Sequence, residues 1–251
     1  MEIEKENIND ENEFQDDDIE EVKRTPDDVS YELDNAINEI KKYVELMDIK
    51  DPNSVKRTYN FLSWINKKTN LIREENALKI PKNIMPNTVN SYLYDKFDEP
   101  KRQIINKYYD KKVIADNKFE YVIDKSKDMN DEDIKELASL LVIKRTAVVW
   151  IEFGFNVGKE FGGKHPALIL KYVGDNIIVA PLSSKKPKEI KGFHVRVNNV
   201  MKFNKKKTRW INIHRILPVS INRIDFNSAI GSVRGEVLDD ISEAIKNYGV
   251  R

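Results

Sequence analysis

The stretch from Gly154 to Gly163 holds four glycines in ten positions and ends in Lys164-His165-Pro166. A loop so rich in glycine has few side chains to pack it down and is expected to move over a substrate. The Lys-His pair at the start of the following apolar run puts an ammonium beside an imidazole. That pairing suits a phosphodiester: the imidazole titrates near neutrality and can give or take a proton, while the ammonium stays positive. Ser183 and Ser184 follow Pro181-Leu182 at the end of a further apolar run, where hydroxyls can donate to phosphate oxygens. With no base and orienting acid around it in the sequence, Ser183 is read as a transition-state hydrogen bonder and not as a covalent nucleophile. Lys185, Lys186 and Lys188, then Lys202, Lys205, Lys206, Lys207 and Arg209, give loops dense in cations, as expected of a surface that tracks a nucleic-acid strand.

Composition narrows the chemistry. The chain has no Cys and three His, which removes thiolate zinc sites, thiol nucleophiles and disulfide scaffolds, and leaves no metal-binding motif. No cofactor or metal is expected. The formal charge of +1 over 251 residues hides an asymmetry. Residues 1–28 carry 13 acids against 3 bases, whereas residues 144–251 carry 20 bases against 9 acids. Separated blocks of opposite sign point to a polyanion-binding domain and an acidic tail, and a mobile tail of this charge could compete with a polyanion for the basic surface. No apolar run approaches the roughly 20 residues needed to span a bilayer, and the acidic N-terminus is unlike a secretory signal, so a cytoplasmic location is expected.

These groups need a frame. Residues 1–28 are too polar to bury a core and are expected to be disordered. From Leu33 through Ile37, Ile40, Val44 and Met47, and again from Val55 to Ile72, apolar residues recur at helical spacing around the breaker Asp51-Pro52-Asn53. This predicts a helical hairpin over about 30–78, with a narrow seam suited to dimerisation, docking or a partner. The proline-containing segment from Ile80 to Asp95 reads as an irregular linker and a possible domain boundary. A helix from Asp98 to about Tyr109, a β-leaning run over 113–123 and a short helix after Asn130 complete a mainly helical region over 29–143. After Lys144 the texture turns to short β-branched and aromatic runs, at 147–151, 166–170, 176–180, 193–197 and 210–219. An amphipathic helix over 235–248 follows. The fold class is therefore α+β: a small curled β-barrel with a C-terminal helix over 144–251, behind the helical region and the tail. Trp150 and Trp210 read as core anchors, and His194 and His214, inside strand-like runs, read as structural.

The segment from Val149 to Leu170, with its Asn156-Val157-Gly158 and Glu160 element and its Gly162-Gly163-Lys164-His165-Pro166 turn, followed by Ile177 to Ser184, resembles the MazF/PemK family of toxin endoribonucleases. The likeness runs on through Phe193–Val197 and the 210–224 region to the last helix. It implies an SH3-like (MazF/CcdB-like) barrel, a homodimer, a cognate antitoxin as partner, and cleavage of single-stranded RNA without a metal. By the same resemblance His165, Ser183, Lys164 and Glu160 are the candidate catalytic groups. Asn156, Gly162, Gly163, Ser184, Lys185, Lys186, His194 and Arg215 are candidate RNA contacts. His165 stands where the family normally has Arg, a departure that exchanges a permanent charge for a titratable one. The alternative is a non-catalytic RNA- or protein-binding module on the same barrel.

Overall fold

A computed structural model of the chain describes residues 24–73, 80–116, 118–156, 161–174, 176–203 and 207–249. The chain divides into two compact units, one ending at Thr58 and one running from Tyr59 onward. Most of the expected acidic tail, and Glu160, lie outside the described residues.

Helix α1 (Pro26–Glu45) starts where Thr25 caps it: the Thr25 hydroxyl accepts from Asp28 N at 3.2 Å and the Asp28 carboxylate accepts from Thr25 N at 2.8 Å. With Pro26 in the first turn, this reciprocal cap makes residues 26–28 the beginning of a helix and not the end of a tail. After the turn at Leu46–Asp51, helix α2 (Pro52–Arg73) carries the chain across the boundary between the units. In α1 no residue is buried, and Val29, Tyr31, Leu33 and Ile37 stay exposed.

In the second unit the segment expected to be a linker is built into the fold. Ile80, Met85 and Val89 are buried, and β1 (Thr88–Asn90) pairs antiparallel with β3 (Lys118–Ile123), which also pairs with β2 (Tyr109–Ala115). The β2–β3 hairpin forms the sheet, and β1, just after Pro86, adds to β3 as its third strand. Asn90 then caps α3 (Ser91–Asp95), Asp98 caps α4 (Glu99–Tyr108) and Asn130 caps α5 (Asp131–Leu141), each with its side chain accepting a backbone N–H of the first turn.

The main sheet is antiparallel, ordered β10-β4-β5-β6-β8-β7, with β9 paired to β6. Its strands are β4 (Ala147–Glu152), β5 (Lys164–Val173), β6 (Asn176–Ser183), β7 (His194–Val197), β8 (Arg209–Asn212), β9 (Leu217–Ser220) and β10 (Gly231–Ser232). The stretch expected as one strand over 210–219 is two, because a single 3-10 turn at Ile213–Arg215 separates β8 from β9. A lone bridge between Met201 and Ser232 draws the segment after β7 towards β10, so the sheet curls into a half-barrel. Helix α6 (Gly235–Tyr248) buries Leu238, Ile241 and Ala244.

Period-two alternation explains why the central strands read as continuous apolar runs. Val148, Leu168, Ala180 and Leu182 face one core together with β7, β8 and α6. Val149, Ile151, Ala167, Ile169, Ile177 and Val179 face a second core shared with Ile104, Ile105, Ile134 and Leu137. The strand texture changes at residue 144, but the second core runs through both sides of that point.

Candidate functional site

The chemistry-bearing residues collect at one end of β4, β5 and β6. The Gly-rich loop is pinned at its base: Gly163 N donates to Gly154 O at 2.6 Å and Phe153 N donates to Gly163 O at 2.9 Å. Gly154 (φ +90°) and Gly163 (φ +79°) both take left-handed backbone, which only glycine adopts without strain. Asn156 Nδ2 donates across the loop to Phe161 O at 2.6 Å. The second half of α2 lies on this loop. Lys67 Nζ is 2.7 Å from Glu152 Oε2, the Phe61 and Phe155 rings meet edge to face at 5.5 Å, and Arg223 stands 5.4 Å from the Trp64 ring. The described part of the loop is therefore held by a helix, where the sequence suggested freedom. Residues 157–160 lie outside the described residues.

Neighbours on a strand point to opposite faces, and this separates Lys164 from His165. Lys164 sits across from Glu152 in the β4–β5 register and ion-pairs with Asp225, whose carboxylate also accepts from Ser228 Oγ at 2.6 Å. Burial pushes the Asp225 carboxyl up, but its bonds from Lys164, Ser228 and the Asn227 backbone outweigh this and hold it below the usual range. Lys164, Asn156, Gly162 and Gly163 share a cleft with Trp64 and Lys67 of α2.

His165 also borders a cavity of about 420 Å³, together with Trp150, which the β4–β5 register places on the Lys164 side of the sheet. Trp150, Ser184, Phe203, Lys207 and Arg209 line it with His165, and among the described residues no carboxylate does. The His165 ring lies 4.5 Å from that of Phe161, on which Arg215 is placed at 5.4 Å. Burial is the largest influence on the imidazole and pushes it below its ordinary range. Glu152 and a hydrogen bond with the Gly162 backbone oppose this, and the charge of Lys185 adds to it. At neutral pH the ring is thus mainly uncharged and able to accept a proton.

Arg209, only 8% exposed, opens β8; its guanidinium donates to Lys207 O at 3.2 Å and stands 5.2 Å from the Phe203 ring. Among the described residues no carboxylate pairs with it. Trp150 and Phe203 lie nearly parallel, 14° apart with centroids at 6.0 Å.

Of the residues singled out in the sequence, the cavity unites His165 and Ser184, with the charge of Lys185 felt at the ring. Ser183 ends β6 opposite Trp210, and its hydroxyl accepts from Lys185 N at 3.1 Å. Lys186 is exposed on the following turn. His194 is elsewhere, at the start of β7: its Nδ1 accepts from Lys191 N at 3.1 Å, and its ring packs on Phe193 together with that of His214. His214 lies in the 3-10 turn after β8 and not in a strand. The sequence grouped Lys207 and Arg209 with general basic loops and assigned Trp150 to the core. Their convergence on His165 depends on the β4–β5–β6–β8 order, which spacing does not reveal. The one usable signal was an arginine at the first position of an apolar strand run, Arg209-Trp210-Ile211.

A curled antiparallel half-barrel thus carries, at its strand ends, a cavity whose described lining is cationic. Residues 144–248 match the family of PemK-like, MazF-like toxins of type II toxin–antitoxin systems, so the C-terminal part of the chain is similar to MazF toxins. Among solved structures, the Mycobacterium tuberculosis toxin MazF-mt6 is 17% identical, with 40% of this chain and 92% of that chain covered and a TM-score of 0.31. MazF from Deinococcus radiodurans is 17% identical, covering 41% of this chain and 93% of its own, with a TM-score of 0.33. A mycobacterial endoribonuclease in complex with its cognate antitoxin is 15% identical, covering 41% and 88%, with a TM-score of 0.29. Among curated proteins none is significantly similar in sequence.

Proposed function

We propose that the His165 cavity binds single-stranded RNA and cleaves it, and that the chain is the toxin of a type II toxin–antitoxin pair. The observation that carries this is the lining itself: His165, a hydroxyl, an ammonium, a guanidinium and two aromatic rings around one space, with no carboxylate among the described residues. In the reaction, neutral His165 takes the proton of a ribose 2′-hydroxyl, whose oxygen bonds to the adjacent phosphorus as the P–O5′ bond breaks. Lys207 and Arg209 stabilise the charge that builds on the phosphoryl oxygens, and Ser184 donates to one of them. Arg209 thus provides the permanent guanidinium charge that the family normally has at the position of His165. Lys185 is proposed to return a proton to the departing oxygen. Trp150 and Phe203 offer faces for base stacking. The described lining is cationic and offers a divalent ion no carboxylate, so the steps are drawn without one.

The account extends to the rest of the family pattern as a proposal: closure into an SH3-like barrel, a homodimer, an antitoxin partner, and action in the cytoplasm where messages are. Incubating the full chain with a long RNA in EDTA is expected to give discrete fragments, and His165→Ala to leave the RNA intact. If both proteins bind RNA equally and neither cuts it, the domain is a binding module.

A further inference from the structure

A second cleft, of about 430 Å³, lies behind a wall shared with the His165 cavity. Phe203 and Ala229 line the His165 cavity, whereas their neighbours Lys202, Ser228 and Ile230 line the second cleft. One side is built from residues 84–93 and 141–142, outside the MazF-like match; the other comes from that domain and carries Lys144 and Lys202. Among the described residues no Asp or Glu lines it. The Ser228 hydroxyl donates to the Asp225 carboxylate, which also ion-pairs with Lys164. Among the described residues neither Lys144 nor Lys202 has an ion-pair partner.

Two further facts make this pair unlike ordinary surface lysines. Burial, and then the charge of Lys202, hold the Lys144 ammonium below the usual lysine range, so the two charges act on each other. The backbone that mounts them is strained as well: among the described residues other than glycine, only Thr146 (φ 81°), two positions after Lys144, and Lys202 itself (φ 66°) are left-handed. Such conformations cost about 1–3 kcal/mol each, and strain of this kind clusters at ligand-binding places. A fold that spends strain to bring together two unpaired cations is arranged for an anion. Thr88, Ser232 and the Asn90 amide add donors, and Ile84, Val89 and Leu93 form an apolar wall that can take a ring.

We propose that this cleft is a nucleotide site in which Lys144 and Lys202 hold a phosphate while the sugar or base lies against Ile84, Val89 and Leu93. The phosphate comes either from an RNA strand that continues past the His165 cavity or from a free mononucleotide. The inference does not depend on cleavage.

The test uses the full chain with Lys144→Gln, Lys202→Gln and the double variant. The probes are a fluorescent 2′-O-methyl RNA oligonucleotide, which cannot be cut through its 2′ oxygen, and AMP. If the strand supplies the phosphate, oligonucleotide affinity falls about threefold or more per lysine, and the slope of log K against log salt becomes shallower by about 0.7 for each. If the source is a free nucleotide, AMP binds the wild-type chain and raises its Tm, the double variant loses both effects, and oligonucleotide affinity is unchanged. AMP stabilisation of the wild-type chain needs no variant and is read even if a substitution impairs folding. The proposal is overturned if the folded double variant keeps its oligonucleotide affinity within about twofold and AMP binds and stabilises it as it does the wild-type chain, or binds neither. Cleavage is read separately, so loss of the nuclease assignment would leave this result standing.

Discussion

Replacing Gly154 by Ala puts a methyl group where Trp64 already lies. A Cβ built at Gly154 falls 2.4 Å from Cε2 and Cζ2 of Trp64 and 2.9 Å from its Nε1, and the backbone there has φ +90°. The ring is poorly free to yield, since its own helix is tied to the domain by Lys67 on Glu152 and by Phe61 on Phe155, and Arg223 covers it. Left-handed backbone costs an alanine about 1–2 kcal/mol. Forcing a methyl into occupied space adds about 1–3 kcal/mol. The expected loss is therefore roughly 2–5 kcal/mol, a large part of the about 5–15 kcal/mol that stabilises an ordinary domain. Urea unfolding of Gly154→Ala, Trp64→Ala and the double variant separates the two contributions. Removing the indole relieves the clash but not the backbone strain, so the double variant should be more stable than additivity predicts by about 1–3 kcal/mol. A Gly154→Ala protein within about 0.5 kcal/mol of wild type, or strictly additive variants, would refute the claim that α2 holds the base of the loop.

Other consequences are equally open to measurement. Because the His165 imidazole sits below its ordinary value, the rate of RNA cleavage should rise with pH to a plateau with a midpoint under 6.5. Glu152→Gln should lower that midpoint further and Lys185→Gln should raise it, since these groups push the imidazole up and down respectively. The sign for stability follows from the same shift. The unfolded chain binds the His165 proton more readily, so stability from this group is present above about pH 6.5 and is lost as pH falls towards the folded value. Replacing His165 by Asn should flatten that part of the stability profile. Arg209→Ala should slow single-turnover cleavage by about 100- to 1,000-fold, as loss of one transition-state charge stabiliser does, with Arg209→Lys recovering only part. Leu137→Ala, at a fully buried position of the second core, should cost about 2–5 kcal/mol and lower the Tm reported by Trp210 in the strand region as well as by the helices.

Helices and strands were largely legible because their signals are local. Asp98 and Asn130 announce the helix starts they cap, and the helical spacing of Leu238, Ile241 and Ala244 gives the buried face of α6. The same kind of signal, Thr25-Pro26-Asp27-Asp28, was masked by the acidic run before it. The segment around Ile80–Asn90 was misread because a three-residue strand leaves no periodicity, and its prolines suit a turn as well as a linker. At the site, the strand starting at Lys164 was visible, but its alternation was not followed through: it sends Lys164 to Asp225, distant in sequence, and His165 to the other face, against Phe161. The helix on the Gly-rich loop could not be foreseen, because a tryptophan 90 residues away from Gly154 carries no mark of its destination.

The chemical state of RNA ends is the most direct measurement. After incubation of a defined single-stranded RNA with the full chain in EDTA, attack by the 2′ oxygen leaves a 2′,3′-cyclic phosphate on one fragment and a 5′-hydroxyl on the other. Both ends should appear with the wild-type chain and be absent with His165→Ala. Intact RNA at every pH, or fragments bearing 5′-phosphate, would contradict cleavage by the His165 cavity.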